Sequence, residues 1–229
     1  MPTTTYKSHR RMPQKLTMRA SATAMQIKTK SCKVTGERKC RCDVDSKPIA
    51  SILTLQGLLR KLFTDHAVYT MFYLKSAIFG GPDASFLLNR LLENQTEIGL
   101  HLAALPSVGD ELGKEIGDKL TEHIQAAGQV VAAAITYFKS KTVASNTELT
   151  TKITALFAQG DEVATSFVKL NPHVIDLQNA KDAFHMHNQQ VIDLATLLLS
   201  QKFEDEVRTY DAYYNHMLQI ADVIFSALR

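Results

Sequence analysis

Residues 51–83 read SILTLQGLLRKLFTDHAVYTMFYLKSAIFGGPD, and this stretch decides the fold class. Its apolar residues, such as Leu55 and Leu59, recur every three or four positions, as they do on one face of an α-helix. Gly80-Gly81-Pro82 then interrupts the pattern, because glycine commonly ends a helix and proline cannot continue one. The pattern therefore predicts a helix over about 51–79.

The same helical periodicity runs through five later segments of the chain. Turn residues separate several of them, and a Ser-Asn-Thr-Glu sequence at 145–148 matches a capping box that would open one helix. The predicted segments cover about 83–104, 110–138, 145–170, 173–200 and 203–228. No segment alternates with a period of two. We therefore predict that residues 49–229 form an all-α, up-and-down bundle of about six helices.

Two features of the sequence bear on how these helices are arranged. Short connections between long helices favour antiparallel neighbours, and a four-helix core with a flanking pair is one such arrangement. No short repeat of the solenoid type is evident, and a three-helix duplication stays open. Gly109, Gly113 and Gly117 fall on one face of the third helix, although an interior glycine costs about 1 kcal/mol relative to alanine. This spacing predicts either close approach of a neighbouring helix or a mobile first turn.

Polar residues interrupt the apolar stripes near the middle of four predicted helices. These residues are His66, Asn94, His123 and His187. In an up-and-down bundle the middles of the helices lie at one level, so we expect the four side chains to meet in one buried polar layer.

Other polar residues lie beside this layer in the sequence. His216 falls at the same height on the sixth helix, one position off its stripe, and Asp161 falls at the same height on the fourth helix. Asp65 and Glu122 each precede a layer histidine by one residue, so they point about 100° away and suit supporting or surface positions. His185 is likewise expected at the surface, because it lies two residues from His187.

The polar layer has two chemical interpretations. Neutral imidazole is a common ligand of transition metals, and His66, His123, His187 and His216 would form a metal or small-ligand site if they converged. Alternatively the layer is a satisfied hydrogen-bond network that fixes helix register, as a buried Asn does in coiled coils. The Glu-x-x-His pair of di-iron bundles and the His-Glu-x-x-His zinc motif are both absent from the sequence.

The first 48 residues form a basic arm. They hold twelve Lys or Arg and three Asp or Glu, a net charge of +9, so residues 49–229 carry −6 to give the chain's +3. With few large apolar residues the arm is predicted to be disordered. Such a block binds a polyanion, acts as a solubilising tail or, given its Arg, Ser and Thr, resembles an organellar transit peptide. The polyanion would be nucleic acid, an anionic surface or the acidic body of another subunit. Its binding residues would be Lys7, Arg10, Arg11, Lys15, Arg19, Lys28, Lys30, Lys33, Arg38, Lys39 and Arg41.

Several protein classes lack support in the sequence. No apolar run approaches the roughly 20 residues of a membrane span, and no secretory signal opens the chain, so we expect a soluble intracellular protein. The phosphate-binding P-loop, the dinucleotide glycine pattern and the nucleophile elbow are missing, which disfavours an enzyme. Cys32, Cys40 and Cys42 have neither disulfide-framework nor zinc-knuckle spacing.

Several pieces of the sequence together resemble a poorly characterised helical family. The longest is LLRKLFTDHAVYT at 58–70, followed by Gly81-Pro82-Asp83, RLLENQ at 90–95 with Ile98-Gly99, LTEHI at 120–124, His187, and HML at 216–218 with Ala221-Asp222. The family is found in bacteria and in large DNA viruses of the marseillevirus kind.

The resemblance covers about residues 55–226 and leaves the arm outside. It implies a helical bundle with a core that bears His, Asp and Asn, and no established activity. Some bacterial members carry a glycosyltransferase label that no motif here supports, and Phe63 stands where those members tend to have Trp. A viral relationship implies a protein of the host cytoplasm, the viral factory and the virion that is packaged with viral DNA or works beside it.

The sequence therefore leads to three interpretations of function. The first is a non-enzymatic interaction protein, in which a helical scaffold carries a basic arm that binds nucleic acid or another polyanion. The second is a metal-binding bundle, either an oxidoreductase or a metal carrier, that uses the mid-helix histidines and a transition metal as cofactor. The third is a structural scaffold that assembles as a homo-oligomer.

Overall fold

The computed structural model describes the backbone of residues 47–229 and the side chains from residue 54 onward. The predicted disordered arm and its basic residues lie outside the described residues, apart from the start of the first helix. Within the described range the chain forms six helices and no strand, so the predicted all-α class is confirmed. They are α1 (Lys47–Phe79), α2 (Ala84–Ala103), α3 (Gly109–Ser140), α4 (Val143–Val168), α5 (Leu177–Leu199) and α6 (Phe203–Ala227). None of these helices is long and apolar enough to span a membrane.

The start of α4 differs from the prediction. The capping residue is Thr142 rather than Ser145, since the Thr142 hydroxyl accepts a hydrogen bond from the Ser145 backbone N–H at 3.2 Å. Lys141 takes a left-handed conformation (φ 53°) that ends α3, and Thr142 is extended, so the two helices are joined by two residues. Ser145 is instead a buried residue of the first turn. The predicted capping box at 145–148 is therefore wrong.

Consecutive helices are joined by short connections and pack side by side, so they are antiparallel. Across α1 and α2, Asn94 Nδ2 donates to the Leu62 carbonyl, and across α3 and α4, Lys119 pairs with Glu162 at 2.7 Å. The last helix returns to the first, where Arg60 of α1 forms an ion pair with Asp222 of α6 at 2.6 Å. The six helices thus close into a ring, because consecutive helices pack on each other and α6 packs on α1.

Three helices occupy the centre of this ring. Helices α1, α3 and α5 contact one another as well as their neighbours in the ring. They run parallel, because each is separated from the next by one antiparallel helix. The arrangement differs from a four-helix core with a flanking pair, since α2, α4 and α6 each pack between two of the central helices. Any side chain at the middle of α1, α3 or α5 that faces inward therefore points toward the other two.

The three helical hairpins α1–α2, α3–α4 and α5–α6 share one burial register. His66, His123 and His187 occupy the same position in the first helix of each hairpin and are all buried. The second helices match in the same way, with buried positions Leu91, Leu156 and Tyr213; Ile98, Val163 and Ile220; Gly99, Ala164 and Ala221; and Leu102, Phe167 and Ile224. The three hairpins are therefore alike in their burial pattern, and the three-helix duplication that the sequence left open stays untested.

Small residues let α2 and α3 approach closely. A Cβ atom built on Gly99 would lie 2.7 Å from the Cα of Gly117, and one on Gly113 would lie 2.4 Å from the Cα of Ala103. Real Cβ atoms do not come this near to backbone atoms, so the contact requires glycine. Close approach is thus the role of two of the three spaced glycines, whereas Gly109, the first residue of α3, has a positive φ of 78° that glycine adopts readily.

A buried histidine cluster as the candidate functional site

The centre of the bundle holds three histidine side chains, one from each central helix. His66, His123 and His187 are 5%, 3% and 4% exposed, respectively. The ring centroid of His187 lies 5.5 Å from that of His66 and 5.8 Å from that of His123. The structure thus brings together the three histidines that the sequence placed in one layer. We call His66, His123 and His187 the histidine cluster.

Helix α2 supplies two amides that hold His66 in place. Asn94, fully buried as expected, donates from Nδ2 to the Leu62 carbonyl at 3.1 Å. Next to it, Gln95 Nε2 lies 3.0 Å from His66 Nδ1, 3.1 Å from the Leu91 carbonyl and 3.0 Å from Asn94 Oδ1. The sequence analysis missed Gln95, although it follows a residue of the apolar stripe and lies four positions after Leu91.

This hydrogen-bond network assigns the tautomer of His66. An amide nitrogen only donates, and two carbonyl-type acceptors beside Gln95 Nε2 keep the amide in this orientation. Nδ1 of His66 must therefore accept, which leaves the ring hydrogen on Nε2. In this arrangement His66 presents a donor rather than a lone pair on its other nitrogen.

His216 supports the layer from α6 without joining the histidine cluster. Its Nε2 lies 2.9 Å from the Ala183 carbonyl and donates to it. Ala183 precedes His187 by four residues, just as Leu62, the acceptor of Asn94, precedes His66 by four. His216 and Asn94 therefore play equivalent parts in two of the three hairpins, each tying an outer helix to the backbone of a central helix.

Asp161 does not belong to the layer, so that prediction was wrong. Its carboxylate lies at the surface, 2.9 Å from His185 Nε2 and 3.2 Å from Lys181 Nζ. One residue corresponds to about 100° around a helix, and here it is Gly160 that faces the layer, where an added Cβ would lie 2.7 Å from Asn188 Nδ2. The expected surface position of His185 is confirmed.

Asp65 and Glu122 also lie outside the layer, in the surface positions expected for them. Asp65 accepts from Lys61 at 2.5 Å and lies 4.0 Å from the guanidinium of Arg90. Glu122 pairs with Lys119 at 3.0 Å on the outer side of α3. Neither carboxylate contacts a cluster histidine, since each forms ion pairs with lysine or arginine side chains on the outside of the bundle.

The histidine cluster borders a small cavity of about 20 Å³. Thr70 and Asn188 also border it, and Tyr213 stacks on His187 with ring centroids 5.4 Å apart. Several buried polar atoms around this region have no hydrogen bond of good geometry among the described residues: Thr70 Oγ1, His123 Nδ1, His187 Nδ1, Asn188 Oδ1 and Tyr213 OH. Thr70 and Tyr213 lie close enough to interact weakly with each other, as do His123 and Asn188. A cavity of about 10–15 Å³ or more can hold one water molecule, so a guest of that size would satisfy such groups.

Burial keeps the cluster histidines uncharged at neutral pH. Burial lowers the pKa of His66 to about 3, with a further contribution from His123. Burial lowers the pKa of His123 to about 4, which the nearby Asn188 side chain partly offsets. The pKa of His187 is likewise held well below its usual range, first by burial and then by the other histidines. All three rings can therefore accept or donate hydrogen bonds as neutral imidazoles.

The arrangement suits a small polar guest better than a metal ion as it stands. Within the described residues, no set of three or more His, Cys, Asp or Glu side chains is placed to hold a metal. A metal bound to Nε2 of His66 would require the ring hydrogen to move from Nε2 to Nδ1. The Gln95 amide would then have to turn so that its oxygen, and not its nitrogen, faces Nδ1. In contrast, the unpartnered Nδ1 atoms of His123 and His187 beside the cavity can each bond a water-sized molecule, either as donor or as acceptor.

Comparisons with protein-family models, with curated proteins and with solved structures find no match to this chain. The resemblance drawn from the sequence pieces therefore stays a prediction.

Proposed function

We propose that this chain is a non-enzymatic interaction protein, in which a helical scaffold carries a basic arm that binds nucleic acid or another polyanion. The observation that carries the proposal is the charge asymmetry: a net +9 within residues 1–48 and −6 in the remainder. Like-charged blocks of this kind attract polyanions by releasing condensed counterions. The relationship to DNA viruses that the sequence pieces imply is compatible with this function.

The charges of the helical body favour the arm as the binding segment. Its cations commonly face carboxylates: Lys119 contacts Glu122 and Glu162, and Lys169 lies 2.7 Å from Glu115. A net-negative surface of paired charges repels a polyanion at long range and offers few free cations at short range. The binding energy would therefore come from residues 1–48, and it would depend weakly on nucleotide sequence.

The test is duplex DNA binding by the full chain and by a variant with four arm cations replaced. In that variant Lys7, Arg10, Arg11 and Lys15 become Gln. The plot of log K against log salt falls with a slope of about −0.9 for each phosphate contact, so each lost contact makes that slope shallower by about 0.9. We therefore expect both weaker binding and a weaker salt dependence. Fluorescence anisotropy at several salt concentrations measures both quantities.

A matched control removes the same charge from the helical body. It replaces the exposed Lys114, Lys139, Lys141 and Lys202 by Gln. Affinity and salt slope should stay close to those of the unchanged chain, and equal losses in the two variants would contradict the proposal. Heparin and anionic vesicles, tested in parallel, distinguish a nucleic-acid partner from other polyanions.

A second candidate function is metal or small-ligand binding at the histidine cluster, as an oxidoreductase or a metal carrier would require. Three neutral imidazoles from three parallel helices around one cavity support it. Metal content of purified protein decides between this candidate and a structural layer. Stoichiometric metal that is lost in His123→Ala but kept in His185→Ala, a surface histidine, would establish the metal site, and its absence from all three proteins would exclude it.

A further inference from the structure

A second cavity lies at one end of the bundle, between the end of α4, the connection to α5, and helices α5 and α6. Its volume is about 330 Å³. The walls are mainly apolar, and the apolar side chains among them include Phe167, Ile175, Ala183, Phe184, Ile220 and Ile224. Five of these residues are buried, so the walls are set by the packed core.

The volume of this cavity matches a small organic molecule. An apolar cavity of about 150 Å³ holds benzene, and ligand pockets begin at about 300 Å³. At 330 Å³ the cavity has room for a bicyclic aromatic molecule with a short side chain. It is distinct from the cavity at the histidine cluster, although Phe184 lies between the two, with its ring centroid 6.3 Å from that of His123.

The polar groups around the cavity define which ligand it suits. In the inner wall, His216 donates from Nε2 to the Ala183 carbonyl, so in the neutral ring Nδ1 keeps a lone pair and can only accept. At the mouth, Asp176 caps α5 by accepting from the Asn179 N–H at 2.9 Å through one oxygen, which leaves its other oxygen available. The side-chain amides of Asn179 and Gln219 also border the cavity, and none of the described residues around it is a lysine or arginine.

We propose that this cavity binds a small aromatic molecule that carries a hydrogen-bond donor, such as an arylalkyl amine or alcohol. The aromatic part would fill the space between Phe167, Phe184 and Ile220. The donor would meet the acceptors that Asp176 and His216 provide. A carboxylate on the same ring system would face Asp176 with like charge and without a cationic partner, so it would bind more weakly than an amine. The proposal is independent of the polyanion function.

Two probes of nearly equal shape and opposite charge test the proposal on the full chain. Tryptamine carries an amine donor, and indole-3-acetate carries a carboxylate. We expect tryptamine to bind at least about tenfold more tightly at low ionic strength, because the Asp176 charge acts with opposite sign on the two probes. Titration followed by protein NMR or calorimetry measures both affinities.

Three variants locate the binding. Asp176→Asn keeps a good helix cap but removes the charge, so the preference for tryptamine should fall to about twofold or less. Ala180→Phe fills the cavity from its rim and should abolish binding. Ala132→Phe makes the same change on an exposed part of α3 and should have no effect. Circular dichroism and the melting temperature verify that each variant is folded.

Specific outcomes would overturn the proposal. These are no binding of tryptamine up to about 1 mM, the weak end of measurable affinity, equal affinity for the two probes, or unchanged binding in a folded Ala180→Phe variant. A preference that survives Asp176→Asn would also contradict it, since the discrimination would then arise elsewhere.

Discussion

At the residue scale, the centre of this protein depends on how each buried polar atom is satisfied. Gln95 satisfies Nδ1 of His66, and His216 and Asn94 satisfy backbone carbonyls of central helices. In contrast, Nδ1 of His123 and Nδ1 of His187 have no hydrogen bond of good geometry among the described residues. An unpaired buried polar group costs about 1–3 kcal/mol, so these atoms mark the part of the layer that is available to a guest.

Replacing Gln95 by Ala tests the satisfied part of the layer. The change leaves Nδ1 of His66 buried without a donor, so we expect the free energy of unfolding to fall by about 2 kcal/mol. Urea denaturation followed by circular dichroism measures the loss. Gln189→Ala is the matched control, because Gln189 bonds only an exposed neighbour, Asp193, and its loss should cost less than about 0.5 kcal/mol.

At the element scale, the effect of a glycine depends on whether a neighbouring helix packs against it. Helices α2 and α3 touch through Gly99, Gly113 and Gly117, where an added Cβ would collide with backbone or sit against it. Gly57 on α1 is a helical glycine with open space around it. A side chain added at Gly99, Gly113 or Gly117 would therefore disturb packing, whereas one added at Gly57 would not, because only the glycines of α2 and α3 lie at a helix–helix contact.

Alanine substitutions at Gly113 and Gly57 should shift stability in opposite directions. Gly113→Ala would place a Cβ 2.4 Å from the Ala103 Cα and push α2 and α3 apart, so we expect a loss of about 1–3 kcal/mol. Gly57→Ala removes backbone freedom from the unfolded chain without a clash and should add about 0.5–1 kcal/mol. Thermal unfolding of both variants measures the two shifts. Stabilisation by Gly113→Ala would refute the close contact.

At the scale of the whole molecule, three central helices each contribute a neutral histidine, so global stability depends on pH. The pKa of His66 in the folded protein is about 3 and that of His123 about 4, whereas both lie near 6.5 in the unfolded chain. Between these limits the unfolded chain binds more protons than the folded one. Stability is therefore fully present above about pH 6.5 and is lost as the pH falls toward 4.

The expected loss is large enough to measure. Below pH 6.5, each histidine that titrates only in the unfolded chain lowers the free energy of unfolding by about 1.4 kcal/mol per pH unit. At pH 5 the loss per histidine is about 2 kcal/mol relative to neutral pH. His123→Phe should make the pH dependence shallower than that of the wild-type chain by about one such contribution. Urea midpoints between pH 4.5 and 7.5 measure the slopes. Identical slopes for the wild type and His123→Phe would contradict burial of a neutral imidazole.

Much of the fold could be predicted from periodicity, because helical apolar stripes are local properties of a sequence. The six helices and most of their limits follow from such stripes and from glycine and proline at the turns. The start of α4 could not be predicted in this way, because two overlapping sequences can cap a helix there and the tight turn at Lys141 selects Thr142. The site was predicted in part: a histidine on an apolar stripe is recognisable, whereas Gln95 and Thr70 gain their roles only from what packs against them.

The sequence by itself determined the helical class, the three inward-facing histidines and the charge contrast between the first 48 residues and the rest, since these depend on residue type and spacing alone. Only the tertiary structure decided that α1, α3 and α5 share the centre and that Asp161 faces solvent while Gly160 faces Asn188. It also decided that a cavity of about 330 Å³ opens between α4, α5 and α6. The reason is physical: a helical stripe defines which face is buried, but the partner of that face, and the space left between partners, depends on side chains distant in sequence.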